Sequence, residues 1–100
     1  MSTPKEYAKQ KCDSFGWSNE EYNCLVALWE KESHWNVSEG GDPSGPYGIP
    51  QANPGTKMKD YGDDYLTNYK TQINWGLDYI KSRYGTPSAA WERFKRQKWY

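Results

Sequence analysis

A tract rich in glycine and proline interrupts this chain of 100 residues near its middle. It covers residues 36–54 and contains Gly40, Gly41, Pro43, Gly45, Pro46, Gly48, Pro50 and Pro54. Proline removes a backbone donor and glycine weakens a helix, so no helix can run through this tract. We therefore expect a loop or a short irregular hairpin here. Structureless connections of this length are uncommon in compact domains, so the tract is the segment most expected to carry function.

Helix-start signals lie before the tract. Thr3-Pro4-Lys5-Glu6 combines an N-cap residue, proline at the first position and a capping-box Glu, which predicts a first helix to about Asp13. Ser18-Asn19-Glu20-Glu21 repeats the capping-box pattern and predicts a second helix that ends at about Ser33.

After the tract, Asn53-Pro54 predicts a short helical turn through Met58. Apolar residues at helical spacing then predict a third helix from residues 69–71 to Tyr84, just before a glycine. Thr86-Pro87 predicts the start of a fourth helix that runs towards Arg96. Together these signals predict a mainly α fold with about four helices, as one domain over residues 1–100.

Aromatic residues have to supply much of the core, because aliphatic residues are scarce. The chain has six Trp, nine Tyr and two Phe, and each such side chain buries a large area. Trp17, Trp29 and Trp75 fall within or beside predicted helices, so we expect them in the core. Flat amphipathic rings in irregular segments also suit the apolar faces of sugars, and we expect sugar contacts from at least two of Trp35, Tyr47, Tyr61, Tyr65 and Tyr69.

The charge pattern excludes several classes of partner. Thirteen basic residues balance 13 acidic ones, so the basic excess of a nucleic-acid interface is missing. No apolar run is long enough to predict a membrane span, and residues 1–5 lack the apolar core of a signal peptide. His34 is the only histidine and no Cys-x-x-Cys or phosphate-binding loop occurs, so we expect no metal and no cofactor.

Cys12 and Cys24 are the only cysteines. A disulfide between them would join the first two helices, as in an extracellular domain. Two reduced thiols in or near the core are the alternative, and geometry decides between them.

Glu32 is the leading candidate for chemistry. On a helix that starts near Ser18, it continues the apolar stripe of Leu25, Leu28 and Trp29. Removal of a carboxyl from water raises its pKa towards neutrality, which is what a general acid needs. The alternative is a solvated or ion-paired carboxylate at a helix end.

Three polar residues accompany Glu32. Ser33 follows it and could orient it or bind substrate, although a hydrogen bond to its own helix backbone is the alternative. Gln51 ends a Gly-Ile-Pro segment and Gln72 opens the third helix; amides of this kind suit sugar hydroxyls and N-acetyl groups. Either amide could instead close a loop.

Four blocks in order carry a family resemblance. They are Glu32-Ser33-x-Trp35, Tyr47-Gly48-Ile49-Pro50-Gln51, Thr71-Gln72-Ile73-x-x-Gly76-Leu77-x-Tyr79-Ile80 and Ala89-Ala90-Trp91. The chain resembles the lytic transglycosylase domain of the lysozyme-like superfamily over residues 7–100. It is most similar to small actinobacterial and actinophage forms, and is also similar to resuscitation-promoting factors.

This resemblance implies a small lysozyme-like fold that cleaves peptidoglycan between N-acetylmuramic acid and N-acetylglucosamine. It implies that Glu32 is catalytic, and that the substrate contacts Ser33, Trp35, Tyr47, Ile49, Gln51, Gln72 and Trp91. Glu92 stands where the family has Asn, and Ser88 replaces a Cys of similar actinobacterial sequences. The implied setting is the cell wall or a phage virion, as a monomeric domain that could be part of a larger protein.

Three functions remain open from the sequence. A lytic transglycosylase needs Glu32 alone, first as acid and then as base, and forms a 1,6-anhydro product. A muramidase also needs a base that activates water, for which Asp42, Asp63 and Asp64 are candidates, although each is expected to be a turn residue. A wall-binding or phage tail module would keep the groove without catalysis.

Overall fold

The computed structural model describes residues 3–98. Within them lie four α-helices: α1 (Pro4–Ser14), α2 (Asn19–Ser33), α3 (Tyr69–Tyr84) and α4 (Pro87–Gln97). A 3-10 helix, Gly55–Tyr61, lies between α2 and α3 and extends three residues beyond the short turn that we expected to end at Met58. The predicted mainly α fold with four helices is confirmed.

The helix starts follow the local signals. Thr3 and Glu6 form a reciprocal capping box at α1, in which each side chain accepts a hydrogen bond from the backbone N–H of the other residue. At α2 only half of the expected box forms, because Ser18 accepts from the Glu21 N–H while the Glu21 carboxylate is used elsewhere. It accepts from the backbone N–H and the hydroxyl of Ser88, at 2.7 and 2.8 Å, in the first turn of α4. This Glu21–Ser88 link ties the start of α4 to the start of α2.

The main core lies between α1, α2, α3 and α4. Its fully buried side chains include Leu25, Leu28, Trp29, Ile73, Leu77, Ile80 and Ala90. Gly76 lets α3 come close to this core, because a Cβ there would lie 2.6 Å from the Trp29 ring and 3.0 Å from Pro50. Trp29 is therefore core as expected, and Trp17 is partly buried on the same cluster. Both cysteines are free thiols, with Cys12 buried and Cys24 half-buried.

The Gly/Pro tract folds as a short irregular hairpin, one of the two forms expected from the sequence. His34 adopts a left-handed conformation that ends α2. Farther along, Tyr47 and Ala52 pair through a single antiparallel bridge, and residues 48–51 form the turn between them. A smaller cluster of Tyr47, Ala52, Met58 and Tyr65 lies beneath this hairpin.

Across residues 3–98, no helix has both the length and the apolar character that a membrane crossing requires.

Candidate active site

Glu32 lies in the last turn of α2 and lines a narrow cleft. The cleft is formed by Glu32, Pro50, Gln51, Ala52, Asn53, Lys57, Trp75 and Tyr79, so α2, the hairpin turn, the 3-10 helix and α3 all contribute. Its volume is about 80 Å³, below the roughly 300–1,000 Å³ of pockets that enclose small ligands. The cleft is therefore too small to enclose a ligand of that size.

Burial sets the acidity of Glu32. Loss of water around the carboxyl raises its pKa from 4.5 to about 7, because the charged form is desolvated. Within residues 3–98, no other carboxyl lines the cleft and no side chain forms an ion pair with Glu32. At neutral pH the group is therefore present in both protonation states, so it can donate a proton and then accept one.

An aromatic wall stands on the α3 side of the cleft. Trp75 and Tyr79 lie one turn apart, with ring centroids 5.0 Å apart and planes inclined by 11°. Both rings are only partly buried, so they present a stacked apolar surface next to the carboxyl. Surfaces of this kind suit the C–H faces of sugar rings.

Polar groups stand on the hairpin side. The Gln51 amide nitrogen donates to the carbonyls of Gly48 and Glu39, at 2.9 and 3.2 Å, which fixes the side chain at the cleft. Asn53 and Lys57 are exposed beside it. These groups can bind hydroxyl, acetamido or carboxylate groups of a ligand.

Of the predicted site residues, Glu32 and Gln51 line the cleft. Ser33 and Ile49 do not, because both are buried and the Ser33 hydroxyl donates to the Ile49 carbonyl at 2.8 Å. Both residues were expected to contact the substrate. Instead, the hydrogen bond between them joins the hairpin turn to the end of α2.

Gln72 also has a structural role and does not line the cleft. It is completely buried, and its oxygen accepts from the Ile49 N–H at 2.9 Å. Its nitrogen donates to the carbonyls of Val37 and Tyr65 at 2.9 and 2.8 Å. The amide thus joins α3 to three parts of the irregular segment, which is the loop-closing alternative left open by the sequence.

Trp35, Tyr47 and Trp91 lie away from the cleft. Trp35 is buried edge-on against Trp29, and its indole N–H donates to the Val26 carbonyl at 3.2 Å. The Tyr47 ring is buried, and its hydroxyl donates to the Leu66 carbonyl at 2.8 Å. Trp91 is half-buried on α4, in a separate depression beside Lys31.

The expected aromatic contacts from the irregular segments are therefore not at this cleft. Tyr65 is buried in the smaller cluster, and Tyr69 packs edge-on against Tyr7. Tyr61 is exposed, but its hydroxyl donates to Asp78 at 2.7 Å, outside the cleft.

Trp75 and Tyr79 are the residues that the sequence interpretation missed. Trp75 was expected in the core; it packs against the smaller cluster, and its exposed part forms the cleft wall. The signal was present: at 100° per residue, Trp75 and Tyr79 lie on the side of α3 away from Ile73, Leu77 and Ile80. Two aromatic rings four residues apart, off the buried stripe of a helix, indicate a second, partly exposed apolar face.

The other candidate carboxylates serve turns. Asp42 accepts from the Ser44 N–H at 2.9 Å, and Asp64 accepts from Asn68 and Thr71 at 2.8 and 2.7 Å. These hydrogen bonds lower the pKa of both groups, and neither they nor Asp63 line the cleft. Over residues 3–98, no cluster of three or more His, Cys, Asp or Glu residues could hold a metal ion.

Comparisons of the chain with protein-family models, curated proteins and solved structures return no match.

Proposed function

We propose that this chain is a peptidoglycan lytic transglycosylase domain, with a lysozyme-like fold, that cleaves the β-1,4 bond between N-acetylmuramic acid and N-acetylglucosamine. The observation that carries the proposal is Glu32, a desolvated carboxyl with a pKa of about 7 in an aromatic-walled cleft. The four sequence blocks that resemble this family give the substrate class.

The chemistry requires one group that changes its protonation state. Protonated Glu32 gives its proton to the glycosidic oxygen, and the bond from that oxygen to the muramic C1 breaks. The oxygen of the neighbouring N-acetyl group can bond to C1 in this step, in place of a protein nucleophile. Ionised Glu32 then takes the proton of the muramic C6 hydroxyl as the C6 oxygen bonds to C1 and displaces the acetyl oxygen. The product is a 1,6-anhydro ring, no water is consumed, and Glu32 regains its proton.

The surroundings of Glu32 favour this route over hydrolysis by inversion. Most glycoside hydrolases use two carboxyl groups, one on each side of the scissile bond. Among the described residues that line the cleft, Glu32 is the only carboxyl, and Asp42 and Asp64 are bound in turns. An inverting muramidase would lack, among these residues, the second carboxyl that activates its water, whereas hydrolysis with N-acetyl assistance would use Glu32 as the base.

The proposed setting follows from the substrate. Peptidoglycan lies outside the cytoplasmic membrane, so the domain would act at the cell wall, either as a secreted protein or as part of a phage virion. It would act there as a monomeric domain, alone or within a larger protein.

Glu32→Gln tests the proposal, with Glu30→Gln as the matched control. Glu30 lies on the same helix but is exposed and pairs with His34 at 3.2 Å, so its loss leaves the cleft intact. We expect Glu32→Gln to abolish the clearing of purified peptidoglycan while its circular dichroism spectrum stays that of a helical fold. Glu30→Gln should clear normally. Full activity in a folded Glu32→Gln variant would refute the assigned role.

The mass of the released muropeptides separates the alternatives. Anhydro products are lighter by one water than hydrolysis products of the same strand. Products that contain the added water would favour a muramidase. Wall binding by the unaltered protein without any soluble product would favour a non-catalytic wall-binding or tail module.

A further inference from the structure

A second depression lies on the side of α4, apart from the Glu32 cleft. Lys31, Trp91, Phe94, Lys95 and Lys98 line it, and we refer to these five residues as the α4 pocket. Its volume is about 550 Å³, within the range of roughly 300–1,000 Å³ typical of ligand pockets. It has no lining residue in common with the cleft.

The floor of the α4 pocket is aromatic. Trp91 and Phe94 stack with ring centroids 5.8 Å apart and planes inclined by 12°. Both rings are partly buried and pack against the main core, so their positions are fixed while part of each ring stays open to solvent. A fixed, stacked pair of this kind suits the apolar face of a sugar ring.

The rim of the α4 pocket is cationic. Three of its five residues are lysines, although the whole chain has no net charge. Lys95 pairs with Glu92 at 2.8 Å and lies over the Trp91 ring. Over residues 3–98, neither Lys31 nor Lys98 has an ion-pair partner, so two ammonium groups remain for an anionic ligand.

We propose that the α4 pocket is a second binding site for a glycan strand, in which Trp91 and Phe94 bind a sugar ring while Lys31 and Lys98 bind carboxylates. The occupant is peptidoglycan itself, whose stem peptides carry carboxylates at intervals along the sugar strand. This choice of occupant rests on the proposed function. The pocket would bind one part of the glycan strand while the cleft acts on another part of the same strand. In this proposal Trp91 would contact the glycan away from the reacting bond.

The test compares two double variants in a Glu32→Gln background, so that the polymer is not cleaved. Lys31→Gln with Lys98→Gln removes the free rim charges, while Lys59→Gln with Lys70→Gln removes two exposed charges elsewhere. Binding to purified insoluble peptidoglycan is measured by co-sedimentation. We expect about fivefold weaker binding for the rim variant, because two exposed ammonium groups no longer attract the carboxylates of the wall. The control should bind as the parent does.

The chemistry of the occupant is tested with modified walls. Peptidoglycan whose carboxylates have been converted to carboxamides should bind the parent protein as weakly as native peptidoglycan binds the rim variant. Walls stripped of phosphate polymers by hydrofluoric acid should bind normally. Equal losses in both double variants, or undiminished binding to the amidated wall, would overturn the proposal. Loss of binding only on the stripped wall would overturn peptidoglycan as the occupant.

Activity separates this proposal from the proposed function. With Glu32 intact, the rim variant should show kcat/KM about fivefold lower on insoluble peptidoglycan, because its weaker hold on the wall lowers the occupancy of the cleft. It should cleave a short soluble muropeptide tetrasaccharide at the normal rate, and an equal loss on that short substrate would overturn the proposal. If no variant cleaves either substrate, the proposed function fails, and the binding experiment still decides the role of the α4 pocket.

Discussion

Glu32 should make the stability of this protein fall as pH rises. Its pKa is about 7 in the folded protein and 4.5 when the carboxyl is fully hydrated. Between these values the unfolded chain releases a proton that the folded protein retains, so unfolding becomes more favourable with each step in pH. The difference corresponds to about 3 kcal/mol, an upper figure because the side chain is only partly buried. This favourable contribution is complete below pH 4.5 and lost above pH 7.

Glu32→Gln isolates this effect, because the amide does not ionise. Urea unfolding of both proteins from pH 4 to 8 should give nearly equal stability at pH 4. By pH 8 the variant should be the more stable protein by about 2–3 kcal/mol. Glu20→Gln, at an exposed position on the same helix and without an ion-pair partner within residues 3–98, is the control for the loss of an exposed carboxyl. A constant difference between Glu32→Gln and the parent across this range would refute the argument that burial perturbs Glu32.

Three further outcomes follow from the packing. Gly76→Ala should destabilise by about 2 kcal/mol in thermal unfolding, because the added methyl group overlaps the buried α2 indole; a more stable variant, as at an ordinary helical glycine, would contradict this. Gln72→Leu should lower the free energy of unfolding in urea by about 4 kcal/mol, because two buried backbone groups and one partly buried group lose their partner. Gln10→Leu, on the exposed part of α1, should cost little. Burial raises the pKa of Cys12 to about 11. A thiol reagent at pH 8 should therefore label Cys24 first and Cys12 only after the protein unfolds, and equal labelling rates for the two cysteines would contradict this prediction.

The helices could be predicted because their start signals are local. Thr3, Ser18 and Thr86 each cap a helix through a bond to a backbone N–H three residues later. The second half of the Ser18 capping box was predicted wrongly, because its partner Glu21 bonds Ser88, 67 residues away. Local patterns cannot show such a competition between a near and a distant donor.

The site could be predicted only where it follows a helix pattern. Glu32 was identified from its place on the stripe of α2, and the same periodicity could have shown Trp75 and Tyr79. The conformation of the hairpin turn could not be predicted in this way. Positive φ angles at Gly48 and Gln51 shape it, and a bond from the Ile49 N–H to Gln72 turns its apolar residue inward. Nothing within residues 36–54 reveals that direction, so Ile49 was expected at the surface of the site although its side chain is fully buried.

The Glu21–Ser88 link and the packing of α2 on α4 also have a consequence for synthesis. The helix that carries Glu32 leaves the ribosome before α4 does. Among the elements within residues 3–98, α2 and α4 are the pair that packs most extensively. Roughly 50 residues separate them, which takes roughly 3–10 s at bacterial translation rates. Until then the apolar stripe of α2 lacks the helix that covers it, although every residue that lines the cleft has already been made. The activity proposed for Glu32 would therefore depend on a helix that itself lines no part of the cleft.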